Sequence, residues 1–243
     1  MKAKSINKKP PVWEKQFDES LKVCYHNIHS LTDKLENVLA DRIFPFGDLL
    51  IFGETWLNAQ EELDLEAILP AYHYNSNYLE NYKVSLKSRN PGRGKGLAAF
   101  YKEDKFSATR NFTDANLQIS VFEAEDLCVI GIYRSQQDTN ITMLLGHLIP
   151  DVGNVLVIGD MNICSRSEPN HSAFQLLRRK GFANKISEAT HFGGGALDQA
   201  WLRTTTDTHY VSNTDIYSPF YNSKDHDALL FTFYTLKEKS VFF

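Results

Sequence analysis

The chain lacks the features that mark several protein classes. It has no run of about eighteen apolar residues, so nothing in it reads as a membrane-spanning helix. Its opening, Met1-Lys2-Ala3-Lys4-Ser5, has no apolar signal core, and secretion is not expected. Cysteine is scarce and odd in number, at three. Cys24 and Cys128 fall inside apolar segments and read as small core residues of a reduced compartment, not as a disulfide framework. Cys164 is not read as a catalytic thiol. Internal repeats and low-complexity segments are absent. The formal net charge of −4 is not the footprint of a strongly basic nucleic-acid-binding domain. At 243 residues the chain is long enough for one large core or two small ones.

What is present is a recurring pattern: a short apolar strand that ends in a polar residue. Lys22-Val23-Cys24-Tyr25 runs into His26-Asn27, and Leu49-Leu50-Ile51-Phe52-Gly53 runs into Glu54. Leu127-Cys128-Val129-Ile130-Gly131-Ile132 runs into Tyr133-Arg134. Val155-Leu156-Val157 leads to Ile158-Gly159-Asp160-Met161-Asn162, and Ala196-Leu197 leads to Asp198-Gln199. Finally, Ser223-Lys224-Asp225-His226 stands directly before the apolar run Ala228-Leu229-Leu230-Phe231. A carboxylate at a strand end is partly desolvated yet still reaches a ligand. A hard divalent cation takes oxygen ligands, one or two of them carboxylates. Phosphoester hydrolysis also needs a group that orients water and donors for charge developing on phosphorus. The set supplies these parts, and because it is spread from Asn27 to His226 it favours a single domain over residues 20–238.

The order Asn…Glu…Tyr…Gly-Asp-x-Asn…Asp…Asp-His resembles the endonuclease/exonuclease/phosphatase superfamily over roughly residues 20–236. Within it, His26-Asn27-Ile28-His29-Ser30-Leu31, Glu54-Thr55-Trp56-Leu57 and Thr190-His191 with Leu197-Asp198-Gln199 look most like the endonuclease domains of mobile elements, such as non-LTR retrotransposon polyproteins. The resemblance implies an α/β fold: a four-layer α/β/β/α sandwich of two mixed sheets packed face to face, helices outside and the site at one end. It implies a Mg²⁺-dependent DNA endonuclease (Mn²⁺ substituting), monomeric, intracellular and nuclear, that leaves 3′-hydroxyl and 5′-phosphate ends. An apurinic-site enzyme and an inositol-phosphate or sphingomyelin phosphoesterase share the same core, so the core residues do not separate them. A non-catalytic binding module would have lost part of the set.

The roles expected on that resemblance are as follows. Glu54 and Asp225 hold the cation, with Asn27 adding an amide oxygen. Asp160 aligns or deprotonates water, and Asn162 holds water or phosphate. Asp198 hydrogen-bonds His226 and raises its pKa, so that a charged imidazole meets the phosphate. Either His226 or Asp160 acts as the base. Tyr133 offers its hydroxyl to a non-bridging oxygen. Arg134 contacts substrate, strand backbone or a surface acid. Thr190 and His191, before Gly193-Gly194-Gly195, contact phosphate or only shape the loop. Between Lys83 and Lys105, the basic residues around Arg93 and Lys95 form either a solvated hairpin or a phosphate-contacting loop.

Spacing gives the elements. Residues 1–19, with Lys2, Lys4, Lys8 and Lys9, read as a disordered leader. Helices are expected at 33–44 (capped by Thr32, ended by Pro45), 61–69, 139–149 and 170–181. Strands are expected near 22–28, 49–54, 96–101, 118–125, 127–134, 155–160, 196–203, 208–213 and 228–235, with a hairpin closed by Asp126 alone. Residues 203–222 are expected to form a surface hairpin that reaches a DNA groove.

Overall fold

The computed structural model describes residues 20–57, 82–87, 96–113, 116–135, 140–205, 210–219 and 226–235. The leader, the helix expected at 61–69, Arg93, Lys95 and Asp225 lie outside the described residues. In chain order the strands are β1 (Ser20–Asn27), β2 (Leu49–Gly53), β3 (Tyr82–Lys87), β4 (Leu97–Lys102), β5 (Ser107–Thr113), β6 (Leu117–Glu123), β7 (Leu127–Arg134), β8 (Asn154–Asp160), β9 (Ala183–Asn184), β10 (Asp198–Arg203), β11 (Tyr210–Tyr217) and β12 (Ala228–Thr235). The helices are α1 (Leu35–Ala40), α2 (Ile141–Leu148) and α3 (Ser172–Arg179).

The strands make two six-stranded sheets, in the orders β11-β12-β1-β2-β4-β3 and β5-β6-β7-β8-β10-β9. Each sheet has one parallel pair at its heart, β1 with β2 and β7 with β8. The remaining pairings are antiparallel.

Central strands that are apolar on both faces need cover on two sides, and the layering provides it. Tyr25, Ile51, Leu229 and Phe231 from one sheet share a core with Val129, Leu156, Ile158 and Ala200 from the other. The alternate residues turn outward. Cys24, Leu50, Phe52 and Leu230 meet Leu35 and Val38 of α1. Ile130, Val155, Val157 and Trp201 meet Ile141 and Leu145 of α2 and Phe174 and Leu177 of α3. Full burial of such a side chain contributes about 1.5–3 kcal/mol. A one-residue slip would therefore reverse every layer assignment at once.

The first helix differs from expectation. Thr32 does not cap it; a 3-10 turn spans Thr32–Lys34, and α1 stops at Ala40, well short of Pro45. The cause is Asp41. Its Oδ1 accepts the amides of Ile43 (2.7 Å) and Phe44 (3.4 Å), which offers the backbone an alternative to the helix. Its Oδ2 accepts the Tyr217 hydroxyl of β11 at 2.8 Å. The third helix ends nearer to expectation. Gly181 takes φ 84°, with Gly181 N–H on the Arg178 carbonyl and Phe182 N–H on the Leu177 carbonyl, a Schellman closure. The β6–β7 turn is wider than Asp126 alone, because strand pairing breaks off at Ala124, whose N–H meets the Leu127 carbonyl.

β5 and β9 are not marked in the sequence, whereas β3 pairs antiparallel with β4 as in the hairpin expected between Lys83 and Lys105. Of the hairpin expected at 203–222, residues 206–209 and 220–222 lie outside the described residues, and the strand expected near 208–213 is β11, the edge strand beside β12. Arg203 does not reach outward. It is buried over the Phe182 ring and donates to the carbonyls of Pro150 and Gly153.

The tightest backbone contact sits one residue before Asp160. Gly159 has φ 148°, and a Cβ there would lie 1.8 Å from the Ile132 carbonyl oxygen of β7. Gly153, at φ 94°, would meet nothing within 4 Å. Gly159→Ala should therefore cost about 3 kcal/mol or more, against about 1 kcal/mol for Gly153→Ala. Urea midpoints of the two variants check this, and equal losses would refute the contact.

Candidate active site

Topology brings the polar set together. β1 and β2 run parallel, as do β7 and β8, so Asn27, Glu54, Tyr133 and Asp160 all emerge at C-terminal strand ends. β10 runs against β8 and begins at that same end, with Asp198 opposite Asp160. β12 runs against β1, so His226, just ahead of it, arrives there too. The Asn27 amide then joins the two sheets. Its Nδ2 donates to Asp160 Oδ2 at 3.0 Å and to Glu54 Oε1 at 3.1 Å, and lies 3.5 Å from His226 Nε2.

Behind this contact lies a relay. His226 Nδ1 is 2.8 Å from Asp198 Oδ2, and Asp198 is fully buried. That bond leaves Nε2 turned toward Asn27 and Asp160. Asp160 accepts the Asn162 amide through Oδ1 at 2.8 Å, and the Asn162 side chain donates to the Arg134 carbonyl at 2.7 Å.

The loops that carry these groups are strained. Among the described residues, the non-glycine positions with left-handed φ are His29, Ser30, Glu54, Trp56 and Asn162, and each follows β1, β2 or β8. Such conformations cost about 1–3 kcal/mol each and persist only where the surroundings over-determine them. Here the loops after β1 and β2 are stitched together. Ser30 N–H reaches the Glu54 carbonyl and Leu31 N–H the Thr55 carbonyl, both at 2.9 Å.

The electrostatics follow from crowding in a dry place. Burial, then the neighbouring Asp198 charge, pushes Asp160 up to about 7 in spite of His226. Burial works against a charged His226, but Asp198 outweighs it and raises the imidazole to about 9, with Asp160 and Glu54 adding to the effect. Burial and the charges of Glu54 and Asp160 keep the Tyr133 phenol protonated. The arrangement holds an imidazolium, a proton-accepting carboxylate and a phenol donor around one point.

The sequence matches the family model "Endonuclease/Exonuclease/phosphatase family" over residues 24–220. The chain belongs to that family. No curated protein matches it significantly. Solved structures share its fold. A 3′ phosphatase, NExo, from Neisseria, bound to a product DNA hairpin, is 14% identical with a TM-score of 0.64, covering 89% of this chain and 100% of that one. The endonuclease domain of TRAS1, a telomere-specific non-LTR retrotransposon, is 12% identical with a TM-score of 0.59, covering 90% and 100%. An AP endonuclease from Archaeoglobus fulgidus is 15% identical with a TM-score of 0.56, covering 88% and 99%.

Within this family member, the structure gives several residues the backbone or loop-shaping role among those the sequence left open. Arg134 is not a surface group; it is 2% exposed and donates to the Met161 carbonyl at 3.0 Å, holding the Asp160 loop. Thr190 is buried as well. Its hydroxyl accepts the Asp198 amide and its carbonyl accepts the Asp227 amide, so it ties β10 to the His226 segment. The His191 ring packs on the His226 ring at 4.8 Å. Of the basic residues expected at 83–105, Lys102 and Lys105 pair with buried Asp48 at 2.7 and 3.3 Å. Asp48 precedes β2, at the pole opposite Glu54, so these two lysines neutralise a core acid away from the site.

Two histidines went unassigned. His29 Nε2 lies 2.8 Å from Glu54 Oε2, with its ring 4.9 Å from that of Trp56. His26 is fully buried, stacks on Phe44 and bonds the His226 carbonyl at 3.2 Å. Burial lowers its pKa to about 3, so it stays neutral. No alternation or spacing separates either one from an ordinary strand or loop histidine.

The donors present fit a divalent cation. Asp160, Asp198 and His226 offer ligand atoms within 4.8 Å of one another. The buried Asn27 Oδ1 has no hydrogen-bond partner beside two carboxylates, and a cation would relieve the crowding that raises Asp160.

The pair also sets a pH dependence. Because the folded pKa of His226 lies above its ordinary value of about 6.5, the stabilisation from Asp198 is full below that value. It fades as pH rises through about 9. Asp198→Asn should therefore lose stability relative to wild type below about pH 6.5, and the gap should close in alkali. NMR of the metal-free protein should place His226 near 9 in wild type and lower in the variant, where only Asp160 and Glu54 still oppose burial. An unmoved titration would refute the relay.

Proposed function

We propose that this family member is a Mg²⁺-dependent DNA endonuclease that nicks duplex DNA, serving as the nicking domain of a mobile-element protein. The observation that carries the reading is the convergence of Asn27, Glu54, Asp160 and the Asp198–His226 pair at one end of two sheets. Support for nucleic acid comes from relatives of the same fold whose structures contain DNA.

Glu54 and the Asn27 Oδ1 are the groups we assign to the cation, together with Asp225. The acid–histidine trio Asp160, Asp198 and His226 is the other candidate set. We assign it to the reaction instead, because Asp198 Oδ2 and His226 Nδ1 are already bonded to each other and a hard cation prefers oxygen. The bound cation would neutralise charge on the scissile phosphate. The remaining work falls to side chains. Asp160 takes a proton from water as the water oxygen attacks phosphorus. The bond from phosphorus to O3′ breaks, and the departing oxygen acquires a proton from solvent. This leaves a 3′-hydroxyl and a 5′-phosphate. His226, held charged by Asp198, stabilises the charge that builds on the phosphoryl oxygens. The Tyr133 hydroxyl steadies Glu54.

The expected result is nicking of supercoiled plasmid in Mg²⁺ that stops in EDTA and falls at least about a hundredfold in Asp160→Ala and in His226→Ala. Full activity in either variant, or without metal, would sink the mechanism. Undamaged duplex should be cut about as readily as a duplex with one abasic site. An abasic preference above about a hundredfold, or 2.7 kcal/mol at 1.36 per decade, would make this a repair enzyme.

A further inference from the structure

We infer that Phe192 is a nucleobase-stacking platform beside the scissile phosphate, so that the site takes a nucleotide whose base can leave its own stack. This rests on the nucleic-acid reading above and adds to it the residue that grips the base.

Phe192 is 88% exposed, more than any other large apolar residue described in the structure. The next, Val152, precedes β8 and so stands at the pole away from the site. A single exposed apolar residue is ordinary; its position and its mounting are not. Phe192 follows His191, whose ring packs on the His226 ring at 4.8 Å and whose backbone forms a β-bridge with His226. Consecutive Cα atoms are about 3.8 Å apart, so Phe192 sits one residue from His191, whose ring packs on the imidazole that meets the phosphate.

The mounting is stiff. Thr190 and His191 amides both donate to the Gly195 carbonyl, at 3.1 and 3.0 Å. Gly194 N–H donates to the His191 carbonyl at 2.9 Å, and Gly193 N–H to His191 Nδ1 at 3.0 Å. Exposed Arg166 closes the loop from outside through Nη1 to the Gly194 carbonyl at 3.3 Å. A loop so fully bonded could fold its aromatic tip onto the protein, yet it presents that tip to water. A flat apolar group could cover the exposed ring without moving this loop.

Charge identifies the cover. The anionic phosphate is drawn to His226, and the Arg166 guanidinium is bonded to the loop that carries Phe192. A cation beside an aromatic platform is how proteins hold single nucleotides without reading their sequence, because every base has a stacking face. A lipid tail would need more than one exposed apolar side chain, and an inositol ring offers no π-face.

The test compares two substrates and three variants. Removing an aromatic platform costs about one decade per stacked base. Phe192→Ala should therefore lower kcat/KM on DNA about tenfold more than it lowers kcat/KM on bis(p-nitrophenyl) phosphate, with the DNA loss chiefly in KM. Phe192→Trp should restore DNA cleavage, and Phe192→Leu, apolar but without a π-face, should not. A 2-aminopurine placed next to the scissile phosphate should be quenched on binding to Asp160→Asn protein, and much less so when Phe192→Ala is added. Equal losses on both substrates, rescue by Leu as complete as by Trp, or unchanged quenching would overturn the platform while leaving the nuclease reading intact. Wild-type protein that hydrolyses the aryl diester but neither binds nor cuts DNA would overturn both.

Discussion

The structure depends on acids being forced together where water is scarce. Asp160 and Asp198 face each other across β8 and β10 at the mouth between the sheets, both essentially buried, with Glu54 close by. Left alone, such a group of like charges would be expelled to solvent or neutralised by protons. What keeps it in place is one imidazolium, one amide and, on Glu54, the His29 ring. Asp198 fixes His226 from one side, and Asn27 bonds Asp160 and Glu54 from the other. The left-handed backbone at Glu54 and Asn162 aims these groups inward, and the paired loops after β1 and β2 hold that strain. The same repulsion that destabilises the metal-free mouth makes it a receptor for a cation and a setting in which a carboxylate can take a proton.

The layers stay together for reasons that do not involve the mouth. Three apolar zones, one between the sheets and one beneath each helical face, fix which way each strand turns. The period-2 alternation of β1, β2, β8 and β12 thus determines where the polar ends emerge. Packing sets the geometry, and the site occupies the end of the sheets that packing leaves open.

Much of this was legible in the chain itself. Val155-Leu156-Val157 before Asp160 and Leu49 to Gly53 before Glu54 announced buried strands with acids at their ends, because continuous apolar runs of that length need cover on both faces. The tail of α3 was legible because Gly181 is a local signal. What escaped was non-local or unpatterned. β5 reads Ser-Ala-Thr-Arg-Asn-Phe-Thr and is mostly exposed on an edge, so no alternation marks it. α1 was overextended because Asp41, not Pro45, turns the chain, and its Tyr217 partner lies 176 residues away. Arg134 and Thr190 look like substrate contacts in a string of letters, and only their burial shows them as struts. Phe192 carried no signal, since exposure is a property of the folded surface.

β1 is the third strand of its sheet, flanked by β2 and by β12. The Asn27–His226 approach therefore closes across 199 residues. A chain emerging from the ribosome has its first strand unpaired on one side until residues 228–235 appear. At about 5–20 residues per second, that interval lasts roughly ten to forty seconds. Asp198 itself waits only for the 28 residues that separate it from His226. Placing the histidine just before the closing strand means that the polar set is completed in the same event that seals the sheet.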